Sequence, residues 1–210
     1  MLQINKKIFI EQGKALSVAK KDVKCLVVAN PANTNAKVLS HYAKDIDPRN
    51  ITCLSRLDHN RAIGQVSLKA GCERTEVEGI CIFGNHSSTQ YPCINHIRIK
   101  GKAGELEKDW LESEFIPRVQ KRGGEILSVK GTSSVFSAAN AVVDHLRDWF
   151  GGSTRIVSMG VVSEGDYGIP EGVFSSFPVH CYPNFSYKVV KDFPISEFCR
   201  VQIAKTVEEL

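Results

Sequence analysis

Three ionisable residues have the types and the spacing that proton transfer on an acidic substrate requires. Asp58 and Arg61 are three residues apart at the start of a predicted helix, so their side chains share one face. His86 follows the apolar run 80–83, which is typical of a buried strand. A histidine oriented by a carboxylate can exchange a proton near neutral pH, and an arginine can bind a carboxylate through two hydrogen bonds. The alternative is that Asp58 and Arg61 form only a solvated ion pair within the helix.

The first part of the chain predicts half of a doubly wound sheet, with strands at 23–29 and 51–54 and a helix over 33–43. Asn30-Pro31 ends the first strand, because a proline restricts the residue before it to an extended conformation. Asn33 or Thr34 is the expected N-terminal cap of the helix. Ligands of open α/β sheets bind at the carboxyl ends of the strands, which is where we expect Asn30 to lie.

The rest of the chain predicts a mixed α+β unit. Helices are predicted at 57–70, 108–122, 133–150 and 195–207, strands at 80–83, 94–100, 156–162, 173–181 and 187–190, and a turn at 101–104. The predicted fold class is therefore α/β, with an incomplete Rossmann-type parallel sheet followed by a mixed α+β substrate and catalytic domain. We place the boundary between residues 1–55 and 56–210.

The predicted helix over 133–150 has an apolar and a polar stripe. The side chains expected to face inward are Ala138, Ala139, Val142, Val143 and Leu146. The polar stripe consists of Ser134, Ser137 and Asn140. It would either pack closely against a neighbouring element or face a ligand, and close packing is the favoured interpretation.

Composition indicates a globular protein and excludes several classes. The 210 residues are 42% hydrophobic and 24% charged, which excludes a disordered chain. The 27 basic and 23 acidic residues are dispersed, with a net charge of +4, so no nucleic-acid partner is expected. The seven cysteines include no Cys-x-x-Cys pair and are typical of reduced thiols in a cytosolic protein. No apolar run approaches the roughly 20 residues that cross a bilayer, so no membrane association is expected.

Three motifs in the same order resemble the malate dehydrogenases, most closely the cytosolic type. They are Val28-Ala29-Asn30-Pro31-Ala32-Asn33-Thr34-Asn35, Arg56-Leu57-Asp58-His59-Asn60-Arg61-Ala62 and Gly84-Asn85-His86-Ser87-Ser88-Thr89-Gln90-Tyr91-Pro92. The similarity extends through 133–149, 157–161 and 176–179, so it covers almost the whole chain. The residues 87–90 favour malate over lactate, because lactate dehydrogenases have a different sequence after the histidine.

The resemblance implies a role for each matching residue. His86 would be the general acid and base, Asp58 its orienting partner, and Arg61 and Asn30 would bind the substrate. The residues that resemble positions contacting an NAD cofactor are Asn5, Gln12, Val28, Ala29 and Asn30. The implied activity is the NAD-dependent interconversion of malate and oxaloacetate in the cytoplasm by a homodimer, and residues 1–55 would belong to the NAD-binding domain.

Some features of that family are not found in the sequence. Neither its glycine-rich pyrophosphate turn nor the mobile loop whose arginines bind the second substrate carboxylate is present, and Ala29 stands where a glycine is usual. The alternative hypothesis is therefore a non-catalytic paralogue that acts in interaction or dimerisation. A metal site formed by His59, His86 and His96 is a weaker hypothesis, and no metal is expected. We also expect the strand at 23–28 to have an unpaired edge that promotes aggregation.

Overall fold

Residues 2–101 and 106–210 are described by a computed structural model. The helices are α1 (Leu2–Leu16), α2 (Ala32–Tyr42), α3 (Arg56–Ala70), α4 (Lys108–Trp110), α5 (Ile116–Lys130), α6 (Val135–Gly151) and α7 (Glu197–Val207). The strands are β1 (Cys25–Val27), β2 (Ile51–Cys53), β3 (Val77–Glu78), β4 (Cys81–Phe83), β5 (Tyr91–Cys93), β6 (Arg98–Ile99), β7 (Val157–Val162), β8 (Phe174–Tyr182) and β9 (Ser186–Val189). Within the described residues, no helix combines the length and the apolar composition needed to cross a bilayer.

A five-stranded sheet in the order β1-β2-β7-β8-β9 is the central layer of the fold. β1 and β2 are parallel, with Leu26 opposite Thr52. From β2 onward the sheet is antiparallel, and Cys53 lies opposite Gly160 where β2 meets β7. The α/β fold class is confirmed: a short parallel pair joins a mixed α+β unit. The sheet runs without interruption across the predicted boundary between residues 55 and 56.

The junction of β2 and β7 requires a residue without a side chain. A Cβ at Gly160 would lie 2.2 Å from Cys53 Sγ and 2.6 Å from the Cys53 carbonyl oxygen. Both distances are far inside van der Waals contact, so the two strands can pair at this point only because residue 160 is glycine.

Apolar side chains form two main cores on the sheet. The larger one packs α3, α5 and α7 against β7 and β8, and includes Phe83, Phe115 and Phe177. The smaller one packs α1 and α2 against β1 and β2, and includes Phe9 and Ile51. Burial of these faces drives the assembly of the fold.

β1 lies at one end of the sheet order, and within the described residues its outer edge has no partner strand. This confirms the expected unpaired edge. Next to β1, the side chain of Val28 is 43% exposed. Exposed apolar side chains beside a free strand edge favour association with other strands.

Two predicted elements differ from the structure. The predicted strand over 94–100 is wrong except for Arg98–Ile99, because the chain turns at Asn95 and His96 before β6 pairs with β3. The predicted turn over 101–104 lies mostly outside the described residues. The helix predicted over 108–122 continues to Lys130, after a π-helical turn at Leu111–Phe115, and Gly131 ends it with a φ of +67°.

The inward face predicted for α6 is also wrong in part. Val143 and Leu146 are exposed, whereas Ala141, His145 and Trp149 are buried. These three residues are four positions apart and line one face of the helix. The hydrophobic pattern was ambiguous because α6 carries apolar residues on two faces and only one of them meets the sheet.

Trp149 tests which face of α6 belongs to the core. It is fully buried, and the ring of Phe185 contacts it at a centroid distance of 5.2 Å. Trp149→Ala should reduce the free energy of unfolding by about 3–5 kcal/mol because it leaves a large cavity. Leu146→Ala, on the face that the sequence predicted to be inward, should cost less than about 1.5 kcal/mol, because Leu146 is exposed. Urea denaturation measures both, and equal losses would contradict this assignment.

Candidate active site

Helix α3 places Asp58 and Arg61 at the carboxyl end of β2. The helix begins after Ser55, and Asp58 lies in its first turn, where the helix dipole favours a negative charge. Gly71 ends the helix in a left-handed conformation with a φ of +59°. The predicted boundaries of this helix are confirmed to within one residue.

The buried strand β4 ends at Phe83, and Gly84 turns the chain into the loop that carries His86. Gly84 has a φ of +91°, and a Cβ at this position would lie 2.0 Å from Cγ2 of Thr206. Glycine is therefore required by both the backbone conformation and the available space. The turn directs the histidine back toward α3.

The predicted histidine and aspartate are in contact. His86 Nδ1 lies 2.5 Å from Asp58 Oδ2. The other carboxylate oxygen accepts hydrogen bonds of 3.2 Å from both Arg61 Nη1 and Gln90 Nε2. Asp58 is fully buried, so these three neighbours replace water around its charge.

The contact shifts both pKa values. The attraction of the Asp58 carboxylate raises the pKa of His86 above its ordinary value of 6.5, against the opposing effects of burial and of Arg61. Burial opposes the ionisation of Asp58, but His86, Arg61 and Gln90 together outweigh it and lower the pKa of Asp58 below 3.8. Each of the two groups therefore favours the charged form of the other.

Arg61 lies between the ion pair and the opposite wall of the site. Its Nη2 donates a 2.9 Å hydrogen bond to Ser134 Oγ, just before the start of α6. The Arg61 side chain keeps 12% of its surface exposed, and its buried Nε has no hydrogen-bond partner among the residues that the structure describes. The arginine is thus held from two sides and retains donor capacity.

Asn33 connects α2 to the loop of the histidine. Its Oδ1 accepts a 2.9 Å hydrogen bond from the backbone N–H of His86, and its Nδ2 donates a 2.9 Å bond to the Phe174 carbonyl. The prediction that Asn33 or Thr34 caps α2 is wrong: the cap residue is Pro31, and no side chain caps the helix. The side chain of Asn33 is buried and used for longer-range contacts instead.

Helix α7 holds the same loop from the other side. The hydroxyl of Thr206 accepts a 2.9 Å hydrogen bond from the backbone N–H of Asn85 and a 3.1 Å bond from Thr89 Oγ1. The carboxylate of Glu209 accepts a 3.0 Å bond from Asn85 Nδ2 and a 2.5 Å bond from Ser87 Oγ. The residues on both sides of His86 are therefore anchored to the last helix and to Glu209 just beyond its end.

A cavity of about 490 Å³ opens beside these residues, within the usual range for small-molecule sites. Its lining contains His86, Asp58, Arg61 and Asn30, so the structure brings together all four predicted catalytic and substrate-binding residues. Gly123 and Gly124 of α5 form part of the opposite wall. The combination of a proton-exchanging group and a guanidinium suits a small carboxylic acid.

The predicted cofactor-contacting residues border a neighbouring groove of about 570 Å³. Gln12, Val28 and Ala29 line this groove together with apolar residues of α1 and β1, and Val28 also lines the cavity of His86. Asn5 is close by, because its Nδ2 donates a 2.5 Å hydrogen bond to the Asn30 carbonyl. The groove is apolar and shares Val28 with the polar cavity. This arrangement suits a planar ring whose reactive edge would face a substrate in the cavity.

Sequence reasoning missed four residues that shape the site: Asn33, Gln90, Ser134 and Thr206. Gln90 and Asn33 lie inside the recognised motifs, so their position was a usable signal. Ser134 belonged to the polar stripe of α6, for which close packing was the favoured interpretation. Thr206 is 120 positions from His86 in the sequence, and nothing local indicates its contact with the loop.

The histidines of the proposed metal site have other partners. His59 Nδ1 lies 2.8 Å from Ser158 Oγ, and the ring of His96 contacts Phe193 at a centroid distance of 5.1 Å. Across 2–101 and 106–210, no three histidine, cysteine or acidic side chains are grouped to hold a metal ion. The metal hypothesis has no support in this geometry.

Comparison with known proteins gives consistent matches. The sequence profile described as the lactate/malate dehydrogenase alpha/beta C-terminal domain matches residues 55–210. The cytoplasmic malate dehydrogenase of Zea mays is 45% identical over 216 residues, which cover 98% of this chain and 65% of that protein.

Two solved structures show the same fold. The malate dehydrogenase of Naegleria fowleri superposes with a TM-score of 0.94 at 45% identity, covering 98% of this chain and 65% of that one. The lactate dehydrogenase of Trichomonas vaginalis, in complex with NADH and oxamate, superposes with a TM-score of 0.93 at 33% identity, covering 98% of this chain and 66% of that one. This chain therefore spans about 65% of the length of its curated relative.

The ion pair predicts how His86 titrates. Asp58→Asn should lower the pKa of His86, because the carboxylate that raises it is removed while burial and Arg61 still lower it. NMR titration of the imidazole measures this shift. Asp144→Asn is the control, since that carboxylate bonds Asn60 and Arg147. An unchanged His86 pKa in Asp58→Asn would contradict the assignment.

The same pair fixes the pH dependence of stability. The pKa of His86 is raised in the folded state. Its contribution to the free energy of unfolding is therefore complete below pH 6.5 and is lost as the pH rises through the raised pKa. The pKa of Asp58 is lowered in the folded state. Its contribution to the free energy of unfolding is therefore complete above pH 3.8 and is lost as the pH falls through the lowered pKa. Urea denaturation should thus show that Asp58→Asn loses the most free energy of unfolding, relative to wild type, in the range from pH 3.8 to pH 6.5.

Proposed function

Because this chain belongs to the lactate/malate dehydrogenase family, we propose that it interconverts malate and oxaloacetate with NAD as the redox cofactor. The observation that carries the proposal is the 2.5 Å contact of His86 Nδ1 with the buried Asp58, beside Arg61 and within one cavity. The motif at 87–90 and the 45% identity to a malate dehydrogenase favour malate over lactate. The relative is cytoplasmic, and we assign this chain to the same compartment.

His86 exchanges the proton of the substrate hydroxyl. Asp58 occupies Nδ1, so Nε2 is the nitrogen that remains for the substrate. In the oxidation of malate, Nε2 accepts the hydroxyl proton as the carbonyl forms, and Asp58 stabilises the resulting imidazolium. In the reduction of oxaloacetate, the imidazolium returns that proton to the carbonyl oxygen. The raised pKa of His86 favours the protonated form that this direction requires.

Arg61 and Asn30 orient the substrate. The guanidinium of Arg61 binds one carboxylate, because its planar donors match the two oxygens. Asn30 lies on the same cavity wall and contacts the substrate hydroxyl. Fixing both groups turns the reacting carbon toward the groove of Val28, which reduces the entropic cost of reaching the transition state.

The groove beside Val28 fits the nicotinamide half of NAD. Its apolar lining accepts the ring, while Asn30 lines the neighbouring cavity and its carbonyl accepts a hydrogen bond from Asn5. When bound, NAD supplies the hydride acceptor that the protein side chains lack. Gln12 and Ala29 would line the same binding surface, and the small side chain of Ala29 leaves the backbone accessible.

The exposed face of α6 supports a homodimer. Phe136, Val143 and Phe150 are spaced by seven residues, so they lie on one face of the helix, and Phe136 is 89% exposed. A continuous apolar stripe of this kind is typical of an interface with another chain. We therefore propose that two copies associate through α6.

His86→Asn tests the proposed chemistry. Loss of the proton-exchanging group should reduce oxaloacetate-dependent oxidation of NADH by about 10²–10⁴-fold. Binding of NADH, measured by isothermal titration calorimetry, should be unchanged because the groove is intact. His96→Asn is the control, since His96 lies outside the cavity. Undiminished turnover in His86→Asn would remove this residue from the mechanism, and wild-type chain that binds no NADH at millimolar concentration would favour the non-catalytic paralogue.

Phe136→Glu tests the dimer. A buried charge in the apolar stripe should convert the dimer into a monomer in sedimentation velocity experiments. Val129→Glu is the matched control, because Val129 is 85% exposed but belongs to α5. A wild-type chain that sediments as a monomer over the same concentration range would refute the interface.

A further inference from the structure

Two cysteines from distant parts of the sequence meet in the larger core. Cys93 is the last residue of β5, and Cys199 lies in the first turn of α7. Their sulfur atoms are 3.7 Å apart, and both residues are fully buried. A disulfide has an S–S distance of about 2.05 Å, so a small shift of either side chain would allow a bond.

Several polar groups surround the sulfur of Cys199. Its sulfur lies 3.0 Å from the hydroxyl of Tyr91, 2.9 Å from Asn95 Oδ1 and 3.3 Å from Ser196 Oγ. It also lies at the N-terminal end of α7, where the helix dipole stabilises a negative charge. Hydrogen bonds from Cys93, Ser196 and Tyr91 outweigh burial and lower the pKa of Cys199 to about 5, whereas burial raises the pKa of Cys53 to about 12.

The side chains that cover the sulfur of Cys199 lie at or near the protein surface. Asn95 is exposed at the surface, and its amide oxygen contacts Cys199 directly. Ser196, the cap residue of α7, is only half-buried. Asn95 and Ser196 form the side of this sulfur from which a molecule as small as hydrogen peroxide would approach.

We propose that Cys93 and Cys199 form a reversible disulfide when the protein meets a peroxide. The Cys199 thiolate attacks one peroxide oxygen, the O–O bond breaks, and the departing hydroxide takes up a proton to give water. The resulting sulfenic acid is attacked by the sulfur of Cys93, the S–O bond breaks, and the hydroxide leaves as water with the Cys93 proton. In total, two thiols are oxidised to one disulfide and one peroxide is reduced to two waters.

Cys81 is the competing partner for Cys93. The two residues lie directly opposite each other in the antiparallel pair of β4 and β5. Burial raises the pKa of Cys81, so it supplies little thiolate for the first step. The sulfur contact of 3.7 Å and the polar setting of Cys199 favour the bond between β5 and α7.

The disulfide would join β5 to the helix that anchors the loop of His86. Thr206 of α7 and Glu209, just beyond the end of that helix, bond to Asn85 and Ser87 beside the histidine. The modification site is therefore separate from the reacting groups, and its formation is independent of the proposed activity.

Peptide mapping of the full chain tests the proposal. The folded protein is treated with hydrogen peroxide, free thiols are alkylated, and the chain is digested with trypsin. We expect peptide 75–98, which contains Cys81 and Cys93, to be joined to peptide 192–200, which contains Cys199. The joined species should disappear after treatment with dithiothreitol, as a disulfide requires.

Variants then assign the bond. Cys81→Ser should retain the joined species, whereas Cys199→Ser should lose it, and circular dichroism verifies that each variant is folded. Cys72→Ser is the control, because Cys72 is half-buried outside this cluster. A bond within peptide 75–98 with Cys199 alkylated would overturn the proposal. So would a wild-type protein in which Cys93 and Cys199 remain thiols or pass to higher oxidation states.

Discussion

The buried carboxylate of Asp58 is the constraint on which the site depends. Removing a carboxylate from water costs several kcal/mol unless charged or polar partners replace the solvent. Here the partners are an imidazole, a guanidinium and a side-chain amide, which come from α3 and from the loop after β4. The fold can bury Asp58 only by bringing these groups together, and the same groups line the cavity.

The loop that carries His86 depends on both ends of the chain. Asn33, at the start of α2, holds the backbone of the histidine, and Thr206, near the end of α7, holds the residue before it. Neither contact acts on the imidazole directly. Together they fix the direction from which the ring approaches Asp58, which explains why elements of both cores contribute to one site.

The sequence predicted the proposed catalytic residues better than the residues that position them. His86, Asp58 and Arg61 lie next to strong local patterns, a buried strand and a helix start, and the structure brings them together as expected. Thr206 reaches the site through tertiary packing, for which the chain has no local signal, and the polar stripe that contains Ser134 was equally consistent with close packing. The prediction of which face of α6 is buried failed because periodicity identifies an apolar face but not the surface that covers it.

Gly160 determines how the two cores of this protein are joined. The smaller core with β1 and β2 and the larger core with β7 and β8 are fused by backbone hydrogen bonds at a point too narrow for any side chain. A methyl group at residue 160 would clash with Cys53 and separate β2 from β7. Because the two cores share one sheet at this seam, Val28 and His86 line the same cavity on a common framework.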